Sequence, residues 1–196
     1  VEWYLAERAR AEAPYIVRIS VYSGNLAIFW KSVQDAFARA GFAFLREYDC
    51  PTDGASGGLL IDDLCHTLTG EKSCYIFIDD FHLLTDKRAP GFLCALAGRL
   101  PPNVHLILAS RDLFLPAAEL VRLGGKVYQI GTAQLRLNHT ELAVYTNRCG
   151  TALSDEQIDT LLYYSEGWFS AVYLNLRMFS EHGVLPDPNS DISSIF

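Results

Sequence analysis

Apolar and polar positions along this chain repeat with two periods, and the changes between them mark out the elements. In VEWYLAERARAE (1–12), Val1, Trp3, Tyr4, Leu5 and Ala9 stand between charges, which predicts an amphipathic helix ended by Pro14. YIVRISVY (15–22) is rich in β-branched and aromatic residues and predicts a strand. Ser23-Gly24-Asn25 then forms a turn or the cap of the next helix. In that helix Phe29, Trp30, Val33, Ala36, Phe37 and Ala40 recur at helical spacing until Gly41. The glycine-rich stretch YDCPTDGASGG (48–58) predicts a flexible loop.

Two later stretches each contain Ile-Asp-Asp with a histidine close behind, and periodicity separates them. In LLIDDLCHTL (59–68), Leu60, Ile61, Leu64, Cys65 and Leu68 mark one helical face, while Asp62, Asp63 and His66 fall on the opposite, solvated one. In CYIFIDDFHLL (74–84) the first five residues form an unbroken apolar run, the pattern of a strand buried on both faces of a parallel sheet. Asp79 and Asp80 then stand at that strand's carboxyl end, where open α/β sheets place ligands.

The remaining pattern predicts a helix at 89–99, a second buried strand at 104–110 with Arg111 at its end, a helix at 116–123 and a short strand at 127–130. From Leu135 onward it becomes helical. Asn138 with Glu141, and Ser154 with Gln157, are capping-box pairs that open helices at 139–149 and 155–164. A further helix at 168–181 has Trp168 as a core anchor, and PDPNSDISSIF (186–196) reads as a linker.

Composition narrows the function classes. A chain of 196 residues, half of them hydrophobic, can bury one well-formed core and a small appendage. A net charge of −7 argues against these residues themselves forming a nucleic-acid-binding surface. The five cysteines never occur in CxxC spacing, and several lie in apolar runs, so reduced thiols in a cytoplasmic protein are expected. No apolar run reaches the roughly 18 residues a membrane span requires, and no signal peptide opens the chain. It starts at Val1, within a helical pattern, and is therefore expected to be a fragment of a longer protein.

The candidate chemistry centres on Asp79 and Asp80. Two acids at the end of a buried strand suit Mg²⁺-dependent nucleotide chemistry, one holding the hydrated metal and the other orienting or deprotonating water. The plainer alternative is a pair of acids capping the turn that follows. His82 would complete a metal-hydrolase set only with further ligands, but His105 lies in a strand and His66 on a helix, so His82 is expected to pack or hydrogen-bond locally. Arg111 could meet a phosphate as a fixed positive fork, or pair on the surface with Asp112 or Glu119. The glycines at 54–58 run into Leu59-Leu60-Ile61 rather than Lys-Ser/Thr, so that stretch is expected to connect elements and not to cradle phosphate.

IFIDDFHLL (76–84), LASR (108–111), GKVYQIGTAQLRLNHTELAVY (125–145) and SEGWFSAVYLNLRMF (165–179), in that order, resemble the nucleotide-binding domain of MalT-like, LuxR-family transcriptional regulators. These are STAND-class signal-transduction ATPases. YIVRISVYSGNLAIFW (15–30) is similar to that family's second strand and the helix after it, and the likeness covers about residues 1–182.

The resemblance implies a three-layer α/β fold, a P-loop NTPase-like parallel sheet lacking its first strand and P-loop, followed by a small helical subdomain. The implied division is 1–132 for the nucleotide-binding domain, 133–183 for the helical subdomain and 184–196 for a linker. By position, Asp79 becomes the Mg²⁺-coordinating Walker B acid, Asp80 the water-activating acid and Arg111 the sensor of the γ-phosphate. ATP and Mg²⁺ are the implied cofactors of the full-length protein. The implied partners are a small-molecule inducer and DNA, both through regions outside this chain, with self-association and no membrane. The family's GxxxxGK[ST] does not occur in these residues; it would lie just before Val1, and its absence predicts that the chain alone neither holds ATP tightly nor hydrolyses it. The flank of the 104–110 strand is then expected to stay open, or to be closed by another chain or by 127–130. The alternatives are a degenerate, non-hydrolysing interaction scaffold and an unrelated Mg²⁺-dependent phosphohydrolase.

Overall fold

The computed structural model describes residues 1–113, 115–183 and 185. The expected linker, apart from Leu185, lies outside them. Two compact units result, Val1–Val127 and Tyr128–Phe196.

The first unit is an α/β layer structure. Its elements are α1 (Glu2–Glu12), β1 (Tyr15–Ser20), α2 (Leu26–Arg39), α3 (Gly54–Leu68), β2 (Cys74–Asp79), α4 (Arg88–Arg99), β3 (Val104–Leu108) and α5 (Ala117–Leu123). The strands form one parallel sheet in the order β1-β2-β3, with Ser20 opposite Asp79 and Ile78 opposite Leu108. Central β2 is buried from Cys74 to Ile78, which is why its sequence is an apolar run without alternation. Strand alternation sends Val17, Ile19, Ile76 and Ile78 to one face, where Val33, Phe37, Leu60, Leu64 and Leu93 of α2, α3 and α4 cover them. On the other face Tyr75 and Phe77 pack with Leu5 of α1, which is fully buried. Each such side chain contributes roughly 1.5–3 kcal/mol by leaving water. Helix, sheet and helix thus form the three layers expected.

Caps set the helix boundaries. Asn25 Oδ1 accepts from the Ala27 and Ile28 N–H groups at 2.9 and 3.3 Å, which starts α2. The glycine-rich stretch departs from expectation, since α3 begins inside it at Gly54. Asp53 accepts from Ala55 N–H at 3.0 Å and Ser56 N–H at 2.8 Å, and Ser56 closes the capping box. At Gly57, which is buried, a Cβ would stand 3.4 Å from the Phe92 ring, the edge of ordinary contact, so α3 packs against α4 there. A strong cap and tight packing outweigh the poor helix propensity of glycine. Asp62 and Asp63 do face solvent on α3, bonded to Arg99 and to the Tyr48 hydroxyl respectively.

The strand expected at 127–130 does not form: Val127 to Ile130 hold no strand conformation and pair with no strand. In the described sheet β3 pairs only with β2, so no extended partner fixes that segment. All five cysteines are free thiols; Cys74 and Cys94 are buried, whereas Cys149 is exposed. Burial pushes the Cys74 thiol up to about 11.

The second unit comprises α6 (Thr132–Leu135), α7 (His139–Arg148), α8 (Asp155–Ser165) and α9 (Phe169–His182). Both capping boxes form, with Asn138 and Glu141 exchanging bonds of 2.9 and 3.0 Å, and Ser154 and Gln157 bonds of 3.3 and 2.9 Å. Leu142, Ile158, Leu161, Val172 and Leu176 form the core. Trp168 is not a core anchor. It is 39% exposed at the N-cap of α9, with the Arg136 guanidinium 5.4 Å above its ring. Its polar, half-exposed cap position leaves the core to the aliphatic residues. Among the described residues no helix is long and apolar enough to cross a membrane.

Candidate functional site

Because the three strands are parallel, their carboxyl ends share one edge of the sheet, and the main chain there is tied together. Asp79 C=O accepts from Val21 N–H beyond β1 at 3.1 Å. On the other side Ala109 N–H donates to Ile78 C=O at 2.9 Å, and Ala109 C=O accepts from Phe81 N–H at 2.9 Å. The segment Asp79–Phe81 is therefore held from both flanks by backbone bonds.

The two acids differ in setting. Asp79, half-buried, accepts the Asp80 N–H on its Oδ1 at 2.9 Å. Asp80 is left-handed, at φ 54° and ψ 37°, and its side chain is 54% exposed. That conformation turns the chain out of β2 into a short 3-10 helix, Phe81–Leu83, and drives Phe81 into the core at 3% exposure. Aspartate tolerates the left-handed region better than most residues, at a cost of roughly 1–2 kcal/mol. Asp80→Gly is accordingly expected to change stability by less than about 1 kcal/mol, whereas Asp80→Val should lose about 1–3 kcal/mol. Urea midpoints of the two variants check this, and equal losses would refute it.

His82 packs locally, its side chain 14% exposed, with Nδ1 3.9 Å from Asp80 Oδ1. That nitrogen is buried and has no hydrogen-bond partner among the described residues. Arg111 lies three residues beyond β3 rather than at its end, because the chain bends at Arg111 and Asp112 after Ser110 Oγ accepts from Asp112 N–H at 3.3 Å. Arg111 is exposed and makes no ion pair among the described residues; Glu119 pairs instead with Arg122 at 2.7 Å. Asp79 and Asp80 thus stand at the carboxyl end of β2, with Arg111 in the bend three residues beyond neighbouring β3.

Sequence reasoning missed the wall of this edge. A Cβ on Gly24 would stand 2.9 Å from Thr85 Oγ1 and 3.3 Å from Leu83 C=O, so the turn after β1 lies directly against the segment after the acids. The glycine before the Asn25 cap was the available signal. Among the described residues no group of three or more His, Cys, Asp or Glu side chains could hold a metal. Mg²⁺ carried with phosphates would ask for no more than one or two carboxylates, its remaining positions being filled by phosphate and water.

No protein-family model matches the chain. Curated relatives do: it is 25% identical over 104 residues to the HTH-type transcriptional regulator MalT of Vibrio parahaemolyticus, covering 53% of this chain and 12% of that protein. It is 30% identical over 102 residues to the regulator of the same name from Yersinia enterocolitica, covering 51% of this chain and 11% of that protein. The match to the Vibrio campbellii regulator MalT is 25% over 105 residues, again 12% of its length. The chain therefore spans only a small part of the curated relatives it matches. Over about half of its length it is a distant relative of the MalT HTH-type transcriptional regulators.

Proposed function

We propose that this chain is the nucleotide-binding switch region of a MalT-type transcriptional regulator. The observation that carries the reading is the pair Asp79–Asp80 at the carboxyl end of the central buried strand, with its backbone fixed from both sides. Bound ATP with Mg²⁺ would supply the reactive γ-phosphate and the charge that accompanies it. Asp79 would hold the hydrated cation, while the exposed carboxylate of Asp80 would orient the attacking water and take its proton. Arg111 would place a guanidinium fork against the γ-phosphate. An inducer and DNA would act through parts of the regulator outside this chain, and nucleotide state would bias self-association.

Asp80→Asn, which keeps the left-handed backbone, is expected to retain nucleotide and lower ATP turnover of the regulator carrying this chain by roughly 10²–10⁴-fold. Unchanged turnover would sink the hydrolytic role; unchanged signalling as well would favour a non-hydrolysing scaffold. The chain by itself contains no GxxxxGK[ST] and is expected to give no micromolar binding heat with Mg-ATP in isothermal titration.

A further inference from the structure

On the face of the sheet covered by α2, α3 and α4, an apolar pocket of about 100 Å³, partly open to solvent, lies between the helices. Its floor is Ile76 and Ile78 of the central strand, and its walls carry the rings of Phe29, Trp30, Phe37, Phe81 and Phe92. Half-buried Cys50 and Pro51, with Arg88 at the start of α4, form a rim at the surface.

The polar groups around it are already engaged. Trp30 Nε1 donates to Tyr48 C=O at 3.0 Å, and Arg88 grips Asp86 through Nε at 3.0 Å and Nη2 at 2.7 Å. Burial pushes the Cys50 thiol up, so it stays neutral. Its lining is almost wholly apolar, so water there gains few protein hydrogen bonds, and enclosed apolar cavities on the order of 150 Å³ accept benzene or xenon.

We infer that this cavity is a binding site for a neutral, apolar molecule about the size of one aromatic ring. Five ring walls offer edge and face contacts to a planar guest, and the Arg88 charge at the rim is already paired with Asp86. Ile78 and Phe81 line the cavity on either side of Asp79 and Asp80, so occupancy bears directly on the backbone of the acids. The inference does not depend on the nucleotide reading.

The test titrates the 196-residue chain with benzene while recording methyl and amide NMR spectra. Saturable shifts are expected at the methyls of Ile19, Val33, Ile76, Ile78 and Ala89, with smaller ones at the Asp79 and Asp80 amides. Ala89→Leu or Val33→Phe, each filling the space, should abolish the shifts without lowering the thermal midpoint. The methyl map of the parent chain is decisive even where a filled variant fails to fold. Unshifted lining methyls in benzene-saturated buffer would overturn the inference, as would equal binding by a folded filled variant. Benzoate binding tighter than benzene would overturn the neutral class of ligand.

Discussion

Phe81→Ala is expected to destabilise the sheet unit by about 3–5 kcal/mol, the usual range for removing a buried aromatic side chain. Phe81 is 3% exposed and belongs to the main core cluster. Its removal would also enlarge a cavity that already adjoins it, and helices held by a β-sheet floor cannot collapse far into the new space. A second effect follows from its position. Asp80 keeps a left-handed backbone because the turn delivers Phe81 into the core, so the variant should loosen the acids as well as the fold. Phe81→Leu, which keeps most of the volume, should lose only about 1–1.5 kcal/mol. Denaturant unfolding of both variants measures the difference, and a loss below about 1 kcal/mol for the alanine would contradict this account of the turn.

Gly167→Ala should be the most damaging small substitution in the helical unit. Gly167 has φ 75°, and a Cβ there would stand 2.5 Å from Leu137 C=O and 3.2 Å from Leu137 N. Both neighbours are backbone and cannot step aside as a side chain does. The same glycine accepts the Leu137 N–H on its carbonyl at 2.8 Å, a bond that any displacement breaks. Left-handed strain, the clash and the lost hydrogen bond together suggest about 2–4 kcal/mol. Gly183 is an internal control: φ is 72°, but among the described residues none beyond its own chain neighbours and its helix's backbone comes within 4 Å of its would-be Cβ. Gly183→Ala should therefore cost only the strain, about 1–2 kcal/mol. Hydrogen exchange in α7–α9 reads both, and equal effects would show that the contact with Leu137 is immaterial.

Where one force dominates, the elements were readable from the chain alone. Central β2 is apolar on both faces because both are covered, and α7 and α8 begin where capping residues compete for orphan N–H groups. The misreadings arise where local preference meets a non-local demand. Glycines 54, 57 and 58 read as a loop, yet the Asp53 capping box and the burial of α3 hold them in a helix. Residues 127–130 have strand-like character, but a strand also needs a neighbour with free hydrogen-bonding groups. Trp168 is apolar enough for a core, yet it shares its place with the Arg136 cation. At the candidate site the acids and their strand were legible, whereas the left-handed backbone at Asp80 and the wall at Gly24 were not. Both depend on what lies opposite in space rather than on the residue's neighbours in sequence.

The double tie on Asp79–Phe81 has a consequence for how this sheet edge can drift under mutation. The bonds from Val21 and to Ala109 use main-chain atoms alone, so the ties themselves set no requirement on side-chain type beyond what core packing demands. Proline is the exception, because at 21, 81 or 109 it removes a donor that holds the segment. Lineages carrying this edge should therefore exclude proline at all three positions and keep an apolar residue at 21, which is buried in the core.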